Sequence, residues 1–180
     1  MTDHFQTVSR CGATLVRPAA SQVSSPLKLT HNGLPEGMNP LSLPDMLEPL
    51  RGQLNLRDED ISYVRLLLRK VRRSDFEEGS ICAVWDRVTS LSDQLGFSPR
   101  RINNIERRLV AARIITKTVT GKHNRFGRRN TAGRIELAAG VNFAPLINRA
   151  ADLNACFAAQ QLQADQLKQS RQHAAELISQ

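Results

Sequence analysis

The chain has 180 residues, of which 41% are hydrophobic and 4% aromatic, and its formal net charge at pH 7 is +8. This length suits one ordinary domain, with or without tails, and the apolar content is sufficient for a core. No apolar run approaches the ~20 residues of a bilayer-spanning helix, and the first residues lack the bases and apolar stretch of a signal peptide. We therefore expect a cytoplasmic protein that makes no membrane contact.

The residue types that carry catalysis or bind metals are scattered along the chain. Cys11, Cys82 and Cys156 lie far apart, with no CxxC pair and no histidine nearby, which argues against a zinc site or a disulfide framework. There is no glycine-rich phosphate loop, and no neighbourhood combines a nucleophile, a base and an orienting residue. We expect a protein that is not an enzyme, with no catalytic residues, no metal site and no cofactor.

The positive charge is concentrated in one window of the sequence. Between Phe97 and Arg134 there are eleven Lys or Arg residues and a single acid, Glu106, whereas acids slightly outnumber bases in the rest of the chain. Such a patch attracts a polyanion, and nucleic acid is the commonest one. The alternative is a solvated, arginine-rich surface without a ligand.

Residues 1–50 lack the patterns of packed elements. Six of the eight prolines lie there, among Ser, Thr, Gln and Gly residues. We predict a flexible, Pro- and Ser-rich N-terminal arm over 1–50, in which the short piece at 41–50 could still dock on the domain.

The first predicted helix begins near Asp58. Acids at its start suit a helix N-terminus, and apolar residues follow at helical spacing: Ile61, Val64, Leu67, Leu68 and Val71. The next segment, 78–87, has a short apolar centre, and its pattern fits a strand or an extended connector equally.

Two short helices joined by a tight turn come next. Thr89 or Ser90 is suited to cap the first of them, and Gly96 supplies the permissive backbone for the turn. Ser98 followed by Pro99 is a cap with proline at the first helical position, so a second helix begins there. Its apolar positions are spaced by 3, 4 and 3: Ile102, Ile105, Leu109 and Ala112. This arrangement predicts a helix-turn-helix.

The segments after the helix-turn-helix indicate which type it is. Residues 114–119 are β-branched and alternate, 120–133 are turn-rich and basic, and 134–141 are apolar again. Strand, basic loop and strand directly after a helix-turn-helix are typical of a winged helix. The predicted fold is therefore mainly α with a small β wing, a winged helix-turn-helix over 51–145 followed by a long C-terminal helix.

The C-terminal segment, 146–180, is rich in Ala, Leu and Gln and favours one long helix. A weak heptad seam runs along it with alternating spacings of 4 and 3, interrupted by Gln160 and Arg171. Three interpretations stay open. The helix folds back on the domain, it mediates self-association as a homodimer, or it continues into a region outside this sequence.

The second helix of the helix-turn-helix presents polar donors opposite its apolar side. Those near the opposite side are Arg100, Asn103, Asn104 and Arg107, with Arg101 and Arg108 flanking them. Arginine can donate two hydrogen bonds to a guanine edge, and asparagine can pair with an adenine edge. Residues near the N-terminus of a recognition helix reach deepest into the major groove. Each arginine is equally able to clamp a phosphate without sequence preference.

A second group of predicted DNA contacts lies in the wing. These residues are Lys122, His123, Arg125, Arg128 and Arg129. A loop with this charge and two glycines can lie along the DNA backbone or place an arginine in a narrow minor groove, where it reads shape. The alternative is a solvated hairpin tip.

The stretch from about Tyr63 to Asp152 resembles the N-terminal domain of RepC-type plasmid replication initiators. The resembling pieces are LSDQLGFSPRRINNIERRLVAARII, NRFGRRNTAGRI and, most specifically, AAGVNFAPLINRAADL. In that family the stretch after the wing runs to an aromatic or apolar pair, then Pro-Leu, then a basic residue that opens a long helix. The positions that match here are Phe143, Pro145, Leu146 and Arg149.

The resemblance implies that the chain binds double-stranded DNA at a plasmid origin and initiates replication. It also implies partition proteins of the same operon as partners. Two alternatives use the same fold: a winged-helix transcriptional regulator, and a protein-interaction module that has lost DNA binding. The regulator would bind DNA by the same surface as the initiator.

Overall fold

The computed structural model describes residues 29–118 and 124–178, with side chains described through His173. Over these ranges the chain forms six α-helices and five short β-strands. The helices are α1 (Leu43–Leu50), α2 (Asp58–Leu68), α3 (Val88–Leu95), α4 (Pro99–Ala111), α5 (Ala144–Asn148) and α6 (Ala150–Ile178). The strands are β1 (Ala83–Val84), β2 (Thr116–Lys117), β3 (Phe126–Arg129), β4 (Ile135–Ala139) and β5 (Val141–Asn142). No helix in the described ranges combines the length and apolarity needed to span a bilayer.

Helix α1 lies within the segment expected to be an arm, and it packs in the core against α2 and α6. Leu43 and Leu47 are fully buried, and Leu50 is nearly so. Pro44 is compatible with the helix because it lies at the helix start, where a missing N–H costs nothing, whereas Pro49 lies inside the helix, in its last turn. The docking allowed for 41–50 is therefore observed, whereas residues 1–28 lie outside the described part of the chain.

Helix α2 begins at Asp58, as predicted, and three acids occupy its first turn. It ends at Leu68, so Val71 lies in the following turn and is only half-buried. The connection to β1 contains a short 3₁₀ turn, Arg73–Phe76.

Helices α3 and α4 form the predicted pair. The cap prediction for α3 is wrong, because that helix begins at Val88 and its N-cap is Arg87. The predictions for the turn and for α4 are confirmed. Gly96 has a left-handed backbone with φ of 66°, and the Ser98 hydroxyl oxygen accepts a hydrogen bond from the Arg101 backbone N–H at 3.2 Å.

The strands form two small antiparallel units. One is a three-stranded sheet with the order β1-β5-β2, and the other is the hairpin β3-β4. Only Gly140 separates β4 from β5, so one nearly continuous strand pairs with β3 along its first part and with β1 and β2 along its second. A Cβ atom at Gly140 would lie 2.3 Å from the Val84 carbonyl oxygen, so only glycine permits this approach of β1.

The observed hairpin is placed differently from the predicted one. The predicted strand at 114–119 is reduced to β2, and the stretch predicted as a basic loop, 120–133, contains β3. The turn of the observed hairpin is 130–134, and β2 pairs with β5 instead of with β3. Packing accounts for β3, because the Trp85 ring covers Gly127 so closely that a Cβ there would lie 2.4 Å from it.

Helix α6 has two environments along its length. Its first turns pack on the domain through Ala150, Leu153 and Phe157, and the Gln160 side-chain amide donates to the Pro49 carbonyl at 3.0 Å. Every residue from 161 to 173 is exposed. The first half of the predicted seam is thus covered within the molecule. Self-association through the second half stays a prediction.

Candidate nucleic-acid interface

Helix α4 is fixed to the core by one face and exposes the opposite one. Ile102, Ile105 and Leu109 are fully buried, which confirms the predicted apolar side. Arg100, Asn103 and Arg107 are exposed, at spacings that place them on one face of the helix. Asn104 is half-buried beside them.

The flanking arginines of α4 contact the acidic first turn of α2. Arg108 Nε lies 2.9 Å from Asp60 Oδ2, and the same guanidinium also pairs with Glu59. Arg101 Nε donates to Glu59 Oε2 at 2.6 Å and stacks over the Phe97 ring, 4.4 Å from its centroid. Asp60 is fully buried and Arg108 largely so. Arg108 therefore attaches α4 to α2, whereas Arg101 remains 54% exposed and accessible to a ligand.

The single acid of the basic window, Glu106, is fully buried beneath the exposed face of α4. The Tyr63 hydroxyl donates a hydrogen bond to Glu106 Oε1, and Arg125 Nη2 donates to the same oxygen at 2.6 Å. Lys117 Nζ lies 2.7 Å from Glu106 Oε2. One carboxylate thus connects α4 to α2 and to the residues on either side of the 118–124 segment.

The protonation of this cluster follows from burial and from the neighbouring charges. Burial would raise the pKa of the Glu106 carboxyl, but the charge of Arg125 and the contacts with Lys117 and Tyr63 outweigh it and lower the pKa. Burial and the adjacent carboxylate raise the pKa of Tyr63. At neutral pH, Glu106 is an anion and Tyr63 a neutral donor.

The predicted wing residues separate into three groups. Arg128 is 69% exposed and pairs across the hairpin with Glu136. Arg125 and Arg129 are largely buried in ion pairs, the latter with Asp75 at 2.7 Å. Lys122 and His123 lie outside the described residues, so their DNA contacts stay predictions. Internal pairing gives Arg125 and Arg129 a structural role that the sequence interpretation did not include.

The basic window is not an isolated patch in three dimensions. Its charge is partly neutralised by acids that lie far away in sequence, on α2 and on the connection to β1. The ion pairs that do this are Arg101–Glu59, Arg108–Glu59, Arg108–Asp60, Arg129–Asp75 and Arg134–Glu77. In the described part of α4, Arg100 and Arg107 form no ion pair with an acid and are the helix's most available cations.

The structural role of Glu106 was not predicted from the sequence. Its position offered a signal, because it lies four residues after Ile102 and three before Leu109, on the apolar side of the helix. A lone acid on the buried side of a basic helix requires a buried cation or hydrogen-bond donor.

The exposed face of α4 has the chemistry for binding a polyanion. Guanidinium groups bind phosphate oxygens or guanine edges, and a carboxamide can pair with an adenine edge. Because the buried side of α4 is held by core contacts and ion pairs, these donors are presented from a fixed backbone.

Comparison with known proteins identifies one family. The family model of the replication protein C N-terminal domain matches residues 17–178. No curated protein and no solved structure shows significant similarity to the chain. The match spans α1 to α6 and confirms the resemblance to RepC-type initiators, so the chain belongs to the replication protein C N-terminal domain family.

Proposed function

We propose that the chain binds double-stranded DNA at a plasmid replication origin, through a winged helix-turn-helix whose recognition helix is α4. The observation that carries the proposal is the exposed row formed by Arg100, Asn103 and Arg107. This row lies on a helix whose opposite side is buried. The family supplies the replication context.

The order of elements supports the winged-helix assignment. Helix α2 leads to the edge strand β1, the pair α3-α4 follows, and the chain then forms β2, the hairpin and β5. The last strand, β5, lies between β1 and β2. The hairpin thus extends from the sheet that follows the recognition helix, as a wing does.

The dimensions of the exposed row suit a major groove. From Arg100 to Arg107 the helix rises about 10 Å, at ~1.5 Å per residue. That length corresponds to about three base pairs at ~3.4 Å each. The proposal assigns base reading to Asn103 and either base or phosphate contact to the two arginines.

A transcriptional regulator is the second candidate, because it would use the same surface of α4. The two differ in the DNA sites they require. A palindromic site with half-sites one helical turn apart favours a dimeric regulator, for which the exposed half of α6 is the candidate dimer surface. Direct repeats within an origin favour the initiator.

The proposed role of Asn103 predicts a sequence-selective defect. Asn103→Ala is expected to weaken binding to the origin by ~1–3 kcal/mol and to leave binding to random duplexes nearly unchanged, because only the base contact is lost. Fluorescence anisotropy with origin, promoter and random fragments, each titrated with salt, measures both quantities. If the unaltered chain prefers promoter fragments, its function is that of a transcriptional regulator and not of an initiator.

Asn154→Ala is the matched control, since Asn154 is an exposed asparagine on α6, outside the proposed surface. It should bind like the unaltered chain on every fragment. Equal losses by Asn103→Ala on origin and random DNA would contradict base reading. Absence of binding by the unaltered chain even at low salt would contradict the proposed function itself.

A further inference from the structure

The connection between α2 and β1 carries three exposed arginines that form no ion pair within the described part of the chain, Arg69, Arg72 and Arg73. The last two are adjacent, at the start of the short 3₁₀ turn. The sequence hides them, because residues 51–96 hold eight bases and eight acids and look balanced. In the folded chain, however, several of these acids form ion pairs with arginines of the basic window, 97–134, and so do not neutralise the bases of 51–96. We call Arg72 and Arg73 the connection patch.

The two nearest acids in sequence are already engaged. Asp75 is 1% exposed and holds Arg129 through both carboxylate oxygens, and it also accepts from the Arg72 backbone N–H at 3.0 Å. Glu77 pairs with Arg134 at 2.9 Å. Neither carboxylate is available to neutralise the side chains of the connection patch.

The connection patch lies beside the turn of the β3-β4 hairpin. A Cβ atom at Gly133 would be 3.1 Å from Arg72 Nη1, which places this guanidinium against the turn. The pairs of Arg129 and Arg134 with Asp75 and Glu77 attach the hairpin to the same connection. The patch and the hairpin turn therefore form one continuous surface.

We propose that Arg72 and Arg73 bind backbone phosphates of the duplex that α4 engages, at a position flanking the α4 site. The inference rests on the proposed function and extends its footprint to the hairpin side of the domain. Duplex DNA presents one negative charge per ~1.7 Å of axis, so a duplex longer than the α4 site offers further phosphates on either side of it. Guanidinium groups match phosphate geometry through two parallel hydrogen bonds.

The test compares the full chain with Arg72→Ala/Arg73→Ala on two duplexes, one limited to the α4 site and one with flanking base pairs. On the longer duplex, the slope of log K against log salt is expected to fall by about 1–2 units, at ~0.9 per lost phosphate contact. On the shorter duplex the two slopes should agree. Arg72→Lys/Arg73→Lys, which keeps the charges, should retain most of the slope.

The matched control is Lys168→Ala/Arg171→Ala, which removes the same charge from the exposed part of α6 and should leave both slopes unchanged. A thermal melt of each variant confirms that it is folded. An unchanged slope in the connection-patch variant would overturn this inference while leaving binding through α4 intact. If the control lowers the slope as much, the effect is one of overall charge and the inference is wrong. If the unaltered chain does not bind DNA, both the inference and the proposed function are wrong.

Discussion

Replacing Glu106 by alanine is expected to destabilise the domain by about 3–5 kcal/mol, because it leaves a buried cation without its anion. The Arg125 side chain is only 9% exposed, and Glu106 is its acidic partner. The same change removes the acceptor of the buried Tyr63 hydroxyl. Denaturant unfolding followed by circular dichroism measures the free energy of unfolding directly.

Glu77→Ala is the matched control, since it removes a carboxylate from an arginine pair in which both side chains are more than half exposed. We expect it to cost less than about 1 kcal/mol. Glu106→Gln keeps the shape of the side chain and a hydrogen-bond acceptor but removes the charge. Its loss of unfolding free energy should therefore lie between those of Glu106→Ala and Glu77→Ala. A cost for Glu106→Ala as small as that of the control would contradict the structural role given to this carboxylate.

The same carboxylate gives the stability a defined pH dependence. Because the pKa of Glu106 is lower in the folded than in the unfolded chain, its contribution is fully present above the unfolded pKa, which is ~4.3 for glutamate. It is lost as pH falls through the lower folded pKa. The difference in stability between the unaltered chain and Glu106→Gln should therefore shrink on acidification below about pH 4.

Leu47→Ala is expected to destabilise the domain by about 2–5 kcal/mol, because it opens a cavity between α1 and the rest of the core. Leu47 is 0% exposed, and α1 packs against both α2 and α6. The measurement is again the free energy of unfolding, in the chain with its N-terminal residues intact.

Leu41→Ala is the control for this second change, since Leu41 is 56% exposed only six residues earlier. Its effect should stay within about 0.5 kcal/mol. A similarly small effect of Leu47→Ala would mean that α1 contributes little to the core, and that the domain begins near 51 as the sequence suggested.

The helices of the domain are largely readable from the sequence, because their signals are local. Apolar spacing locates α2 and α4, and the Ser98–Pro99 pair marks the start of α4 as the structure has it. The start of α3 was missed because Arg87 makes no side-chain cap that a pattern would reveal. Helix α1 was obscured by its prolines.

The hairpin and the charge pairing depend on contacts between distant residues, which a linear pattern does not contain. Strand β3 is held by the Trp85 ring over Gly127, about forty residues apart. The pairs that bind Arg108 and Arg129 also join elements about fifty residues apart. A charge count by window therefore located a basic region, but it did not show which arginines lack an acidic partner. Some of those arginines lie in the segment 51–96, whose charges balance in the sequence.

We expect the two halves of helix α6 to unfold separately. Its 29 residues extend about 43 Å at ~1.5 Å per residue, but only the first turns share the core through Leu153 and Phe157. Beyond Gln160 the described side chains are exposed, so the helical state there is sustained by local hydrogen bonds and by the propensities of Ala, Leu, Lys and Gln. On warming, we expect that half to lose its helical structure progressively, while the first half melts with the domain.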